Sequence, residues 1–153
     1  MSIGIQVSTW WKICKCKPFL FKKCKILLSL ITGGLSINGQ KGHYKANTRL
    51  CQLCDRYQEE TPTHFLFTCS GLKQERTILL EKVFSTMPHG MRDSVILMVE
   101  DELTSFLLGT IANAYVPEWF EIYVAIIHLV AGLYSARDAI LWIIPDHDPI
   151  PAY

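Results

Sequence analysis

The sequence predicts a mainly α protein in which a small cysteine-rich knuckle is joined to a helical bundle. Two observations lead to this fold class. Apolar residues recur at three- and four-residue steps over much of the second half, and the alternation typical of strands is scarce. The chain has 153 residues, of which 50% are hydrophobic and 19% charged. That composition excludes a disordered chain, and the length favours one domain with a real core.

The N-terminal part reads as a basic segment that becomes an apolar, helical stretch over residues 8–31. Pro18 interrupts it early, because proline lacks the N–H that a helix interior needs. Gly33 and Gly34 open a glycine- and asparagine-rich loop that extends to Asn47.

Thr61 followed by Pro62 is a good helix start, since the hydroxyl can cap free N–H groups and proline suits the first helical position. This short helix carries His64 and extends to about Thr68. Ser70 is then predicted to cap a second helix that ends before Pro88.

A further helix is expected within residues 93–113, with a break near Glu100. Its apolar side chains expected to face inward are Ile96, Leu97, Leu103, Phe106, Leu107 and Leu108. The last helix starts after Pro117 and runs towards Ile144, and three prolines make the tail that follows it extended.

The net charge of +1 hides a division of the chain. Residues 1–54 contain nine basic and no acidic residues, whereas residues 55–153 contain six basic and fourteen acidic residues. The two parts therefore carry +9 and −8, an asymmetry associated with contact to nucleic acid or acidic membranes. The alternative is that the basic part pairs with the acidic part inside the molecule.

Neither of the two apolar stretches fits a targeting or membrane segment. The run at residues 26–31 is short and far from Met1, so a secretory signal is not expected. The stretch at residues 116–144 is interrupted by charges and by His128, so we expect a buried helix and no membrane span.

The cysteines and histidine at Cys51, Cys54, His64 and Cys69 give the pattern Cys-x2-Cys-x9-His-x4-Cys. Such spacing is typical of structural zinc sites, which need four nitrogen or sulfur ligands in a tetrahedron. Five residues advance about 500° on an ideal helix, so His64 and Cys69 converge only if the last turn tightens or the helix ends before Cys69. The sequence therefore predicts one structural Zn²⁺ and an intracellular, reducing compartment, nucleus or cytoplasm, for a protein that is not secreted.

Two other interpretations of the cysteines stay open. The same four residues could be buried thiols with a core histidine, or Cys51 and Cys54 could form a redox pair, although the strand and helix of thioredoxin-like proteins are missing. Cys14, Cys16 and Cys24 have no histidine nearby and are expected to be free thiols.

At these residues the chain resembles the reverse transcriptase zinc-binding domain of non-LTR retrotransposon polyproteins. The match consists of the Cys51 and Cys54 knuckle, Glu60-Thr61-Pro62-Thr63-His64, the apolar residues 65–67, Cys69 and a following Arg76. Residues 28–34 resemble a Leu-x-Thr-Gly-His turn of that family, except that Gly34 stands where the histidine usually lies. The Pro117-Glu118-Trp119 segment is a weaker match. The similarity covers residues 28–76.

The resemblance implies a non-catalytic module that helps to position RNA or DNA beside a polymerase. We accordingly expect a basic segment at residues 1–27, a zinc-binding domain at residues 28–76 and a helical region at residues 77–153 that packs on it as one unit. Polymerase and nuclease carboxylates are missing, and four protein ligands leave no position for water on the metal, so no enzyme is expected.

Two functions compete at this point. In the first, basic side chains contact phosphates of RNA or DNA without sequence specificity, with Trp10, Trp11 and Tyr44 as stacking partners. These basic residues are Lys12, Lys15, Lys17, Lys22, Lys23, Lys25, Lys41, Lys45 and Arg49. In the second, the apolar helices from residue 93 onward pack on other regions of a polyprotein or on a second copy of the chain, in a structural module or retroelement remnant.

Overall fold

The computed structural model describes residues 7–35, 37, 50–54, 58–113 and 115–143. Within these residues the fold is mainly α, as predicted, and β structure is limited to one antiparallel bridge between Leu50 and Glu59. The helices are α1 (Val7–Cys16), α2 (Phe21–Thr32), α3 (Lys73–Ser85), α4 (His89–Ile96), α5 (Glu100–Ser105), α6 (Ile111–Asn113) and α7 (Phe120–Ile143).

The predicted break at Pro18 separates α1 from α2. Pro18 begins a short 3₁₀ turn that ends at Leu20, and α2 starts at the next residue. Helix α2 ends at Gly33, whose φ of 83° is a left-handed conformation that glycine adopts without steric cost. The turn folds α2 back against α1.

A disulfide joins Cys14 of α1 to Cys24 of α2, so the prediction of free thiols was wrong for these two residues. The Pro18 turn brings their Cα atoms to 6.0 Å, and both side chains are buried. The sequence offered no sign of this pairing because it depends on how the two helices fold together. Cys16 is free and exposed.

Helix α7 lies at the centre of the molecule and packs against both α2 and α3. Its residues Ile126, Ile127 and Val130 are fully buried. Trp10 lies in the core beside α7. Its indole N–H donates to the Leu108 carbonyl at 2.9 Å, and its ring forms a T-shaped contact with the ring of Tyr123.

The segment Pro117–Leu141 is long and apolar enough to cross a membrane, and 44% of its apolar window is buried inside the molecule. The core helix of a soluble protein passes the same test of length and composition. The absence of a membrane span therefore stays a prediction.

Two predictions about the middle of the chain need correction. Ser70 does not cap α3 with its side chain, because residues 70–72 form a 3₁₀ turn that leads directly into the helix.

The helix expected within residues 93–113 does break before Glu100, but Ile96 and Leu97 are 52% and 84% exposed. They lie where α4 ends, so the helical periodicity that predicted an inward direction no longer applies to them. Leu103, Leu107 and Leu108 are buried as expected, and Phe106 is half-buried.

Candidate metal centre

The first half of the cluster is a tight turn that presents Cys51 and Cys54. The Cys51 N–H donates to the Gln58 carbonyl at 2.8 Å, so Gln58 lies beside Cys51 at the base of the turn. Inside the turn, the Leu53 N–H donates to the Cys51 sulfur at 3.4 Å. A Cβ atom on Gly71 would collide with the Leu53 backbone, so glycine is needed where the turn approaches the start of α3.

The second half is the short helix that carries His64. Thr61 caps it as predicted, since its side-chain oxygen accepts a hydrogen bond from the His64 N–H at 3.1 Å. From His64 to Thr68 the helix is a π-helix, closed by the Cys69 N–H, which donates to the His64 carbonyl at 2.8 Å.

The π turn brings His64 and Cys69 together in a way that the sequence did not predict. We expected the last turn to tighten or to end before Cys69. The helix does end there, with Cys69 extended at φ −61° and ψ 120°, but the turn is wider than an α turn. An i to i+5 hydrogen bond brings residues five apart onto one side of the helix, which is what two ligands at this spacing require.

The four predicted ligands Cys51, Cys54, His64 and Cys69 come together in one cluster, in which all ligand atoms lie within 4.8 Å of one another. The sulfurs of Cys51 and Cys69 are 3.6 Å apart, and the Cys54 sulfur is 3.5 Å from His64 Nε2. Ideal zinc bond lengths in a tetrahedron give edges of about 3.8 Å between two sulfurs and about 3.6 Å between sulfur and nitrogen. The cluster could therefore hold a metal ion.

Burial adds to this fit. Cys51, His64 and Cys69 are buried and Cys54 is half-buried, so the interior of the cluster is shielded from solvent. His64 Nδ1 is buried and has no hydrogen-bond partner among the described residues. Its other ring nitrogen, Nε2, faces the thiols.

The two buried thiols of the cluster, Cys51 and Cys69, differ in pKa. A hydrogen bond to Cys69, together with burial, raises the pKa of Cys51 to about 12. Accepting that same hydrogen bond lowers the pKa of Cys69. The contact between the two sulfurs thus shifts their pKa values in opposite directions, as expected for thiols held at near-contact distance.

A buried arginine on α3 supports the π turn. Arg76 Nε donates to the Leu66 carbonyl at 2.6 Å, and its Nη2 donates to the carbonyls of Cys69 at 2.8 Å and Phe65 at 3.5 Å. Burial lowers the pKa of Arg76, while the negative charge of Cys69 acts in the opposite direction. The arginine noted in the sequence after the last cysteine therefore holds the segment that presents that cysteine.

A second buried arginine was missed by sequence reasoning. Arg137 on α7 makes a two-pronged ion pair with Glu60, with Nε to Oε2 at 2.7 Å and Nη2 to Oε1 at 2.8 Å. Both residues are at most 4% exposed. Burial disfavours the charge of Arg137, but the hydrogen bonds and negative charge of Glu60 outweigh it and raise the pKa of Arg137. The available signal was a lone arginine within a long apolar helix, which demands an acidic partner.

Six of the predicted nucleic-acid contacts lie on α1, the Pro18 turn and α2. Five of them are exposed and Lys17 is half-buried; the exposed ones are Lys12, Lys15, Lys22, Lys23 and Lys25. None forms an ion pair with a carboxylate of the described residues. Lys41, Lys45, Arg49 and Tyr44 lie outside the described residues, as do most of the predicted glycine-rich loop and the tail.

The two tryptophans predicted to stack on bases differ in their exposure to solvent. Trp10 is fully buried, so its prediction as a stacking partner was wrong, whereas Trp11 is 38% exposed. Sequence reasoning missed Phe19 and Phe21, which are exposed and lie beside lysines. We call Trp11, Phe19 and Phe21, with Lys15, Lys17 and Lys25 at 5.6–5.9 Å from their ring centres, the basic aromatic face.

Comparison of the chain with protein-family models, curated proteins and solved structures finds no match. The resemblance to the reverse transcriptase zinc-binding domain thus rests on the residues quoted for it and stays a prediction. The geometry gives a mainly α protein with a three-cysteine, one-histidine cluster that could hold a metal ion.

Proposed function

We propose that the chain is a zinc-stabilised, non-catalytic module that binds single-stranded RNA or DNA, of the kind the resemblance to a reverse transcriptase zinc-binding domain implies. The observation that carries the zinc part is that the four ligand atoms lie within 4.8 Å of one another and that two of the distances between them, 3.6 Å and 3.5 Å, match tetrahedral edges. Soft thiolate ligands favour zinc over magnesium or calcium. Four protein ligands fill a tetrahedron, which supports a structural ion over a catalytic one.

The charge around the cluster supports the same assignment. Zinc bound by three thiolates and a neutral imidazole carries a net charge of −1. Arg76 is buried next to Cys69 and brings a compensating positive charge. The negative charges of Glu100 and Glu75 also act on Arg76, after that of Cys69.

The basic aromatic face supports the nucleic-acid part. Single-stranded nucleic acids bind to surfaces that combine positive charge with aromatic rings on which bases stack. Phe19 is 78% exposed and Trp11 and Phe21 are partly exposed, each with a lysine over its ring. The lysines of this face have no carboxylate partner in the described part of the chain, which leaves them available for phosphates.

A salt titration of binding to a single-stranded oligonucleotide tests this function. For single strands the logarithm of the affinity falls with the logarithm of salt concentration by about 0.7 per phosphate contacted. The Lys15→Gln/Lys25→Gln variant should therefore bind more weakly and reduce that slope by about 1.4. Lys73→Gln/Arg92→Gln removes the same charge elsewhere and is the matched control. Equal effects of the two variants, or no binding at low salt, would refute the nucleic-acid part.

We also propose an intracellular setting, nucleus or cytoplasm, because metal-binding thiolates must stay reduced. The Cys14–Cys24 disulfide argues the other way, since disulfides persist mainly in oxidising compartments.

A protein-interaction module is the second candidate. It is favoured by one observation, the exposure of Ile96, Leu97 and Val99 where α4 gives way to α5. A cluster of exposed apolar side chains is typical of a surface that another protein covers. Sedimentation of the zinc-loaded chain and a Leu97→Ser variant would test it, since self-association should be lost in the variant.

A further inference from the structure

A cleft of about 670 Å³ opens between α2, α3 and α7, away from the metal centre. This volume lies within the range of small-molecule binding sites. The floor is apolar and is formed by Leu79 of α3 and by Phe120, Val124 and Ala125 of α7. At Gly132 of α7 a Cβ atom would lie 2.8 Å from the Leu79 side chain, so the helices approach closely at that end.

The rim of the cleft is positively charged. Lys17 and Lys23 line it from the α2 side and Lys82 from α3. Among the described residues of the lining, one carboxylate is present, that of Glu121 on α7, which is exposed. Three cations against one anion leave the cleft with a net positive charge.

His128 lies where these charges converge. Its Nδ1 is 3.0 Å from Lys23 Nζ, and because the lysine ammonium has only hydrogens to offer, the imidazole accepts. Burial lowers the pKa of His128, and the positive charges of Lys23 and Lys82 lower it further. The hydrogen bond from Lys23 requires an Nδ1 without a proton, and no carboxylate in the described part of the chain forms an ion pair with Lys23 or Lys82.

We propose that this cleft binds a small organic anion with an apolar body, in which a carboxylate or phosphate head contacts Lys23 and Lys82 and the body covers the floor. A ligand that contacts both the apolar floor and the lysines of the rim needs both an apolar body and an anionic head. A neutral apolar molecule would bury the lysines without a counter-charge, and an inorganic anion would leave the apolar floor in water. The proposal goes beyond the proposed function, since Lys82 and His128 lie outside the basic aromatic face.

Calorimetric titration of the zinc-loaded 153-residue chain tests the proposal with four monomeric probes: dodecanoate, dodecyl phosphate, dodecanol and adenosine monophosphate. At least one of the two dodecyl anions should bind, and dodecanol should bind about tenfold more weakly, since a hydrogen bond to a charged group contributes about that factor. Comparison of the two anions identifies the head group. Lys82→Gln should weaken binding of the anion by about tenfold, whereas Lys73→Gln on the same helix should not.

Nuclear magnetic resonance of the His128 ring provides a second readout that does not depend on the variants. The charged groups that line the cleft with this ring are Lys17, Lys23, Lys82 and Glu121, and the charges of Lys23 and Lys82 lower the pKa of His128. An anion beside the lysines offsets their repulsion of a proton, so the His128 pKa should rise when the probe binds.

Several results would overturn the proposal. If dodecanol binds as tightly as the dodecyl anions, the apolar floor alone is recognised. If the His128 pKa stays unchanged when a probe binds, the probe lies elsewhere on the protein. Binding of adenosine monophosphate without either dodecyl anion would assign the cleft to the nucleic-acid surface. If vesicles of anionic phosphatidylglycerol bind and the monomeric probes do not, the lysines of the cleft would contact a membrane surface and not a small ligand.

Discussion

At the scale of single residues, Cys69 joins three separate requirements. Its sulfur lies in the ligand cluster, its N–H closes the π turn on His64, and its carbonyl accepts a hydrogen bond from Arg76. The ligand could be predicted from spacing, because metal chemistry restricts which residues recur at which intervals. Its backbone contacts could not, because an i to i+5 turn has no distinctive sequence pattern.

Arg76→Gln tests how strongly this arginine supports the turn. We expect the free energy of unfolding of the zinc-loaded protein to fall by about 2–4 kcal/mol, because buried carbonyls lose a charged donor. Urea unfolding followed by circular dichroism measures it. Arg92→Gln on α4 is the matched control and should change stability by less than about 0.5 kcal/mol. A loss no larger than that of the control would mean that the carbonyls find other partners.

At the scale of elements, local rules predicted one helix start and one helix break correctly, and tertiary packing decided much of the rest. Thr61 caps its helix and Pro18 separates α1 from α2, both as expected from hydrogen-bonding rules. The disulfide between those two helices could not be predicted, since the pairing of Cys14 with Cys24 depends on the direction in which α2 returns.

The Cys14→Ala/Cys24→Ala variant should be less stable by about 2–3 kcal/mol, because the cross-link closes a short loop in the unfolded chain. Unfolding in urea without reductant measures this loss, and Cys16→Ala, an exposed free thiol, should have no effect. Thiol titration of the unfolded, metal-free protein should find four free thiols. Six would show that the disulfide does not form.

At the scale of the whole molecule, α7 ties the metal centre to the rest of the fold. Glu60 directly precedes the capped helix of the cluster and pairs with Arg137, which lies 77 residues further along the chain. Burial of such a pair requires both partners, since one alone leaves an uncompensated charge in the core. The mainly α class was predictable from periodicity, but the long-range pairing was not, because a single sequence does not show which distant residues meet.

A double-mutant cycle tests this link. Arg137→Met alone should destabilise the protein by about 3–5 kcal/mol, because the buried Glu60 carboxyl loses its ion-pair partner. Adding Glu60→Leu should recover much of that loss, since a buried ion pair replaced by two apolar side chains leaves neither partner behind. Urea unfolding of the four proteins gives the coupling energy. Additive losses would mean that the two side chains act independently.

The central claim is that Cys51, Cys54, His64 and Cys69 bind one structural zinc ion, and native mass spectrometry of the purified 153-residue chain tests it most directly. We expect one zinc per chain, lost in Cys69→Ser and retained in Cys16→Ser, together with loss of helical circular dichroism when a chelator removes the metal. A chain that purifies without metal and keeps its fold in chelator would contradict the claim.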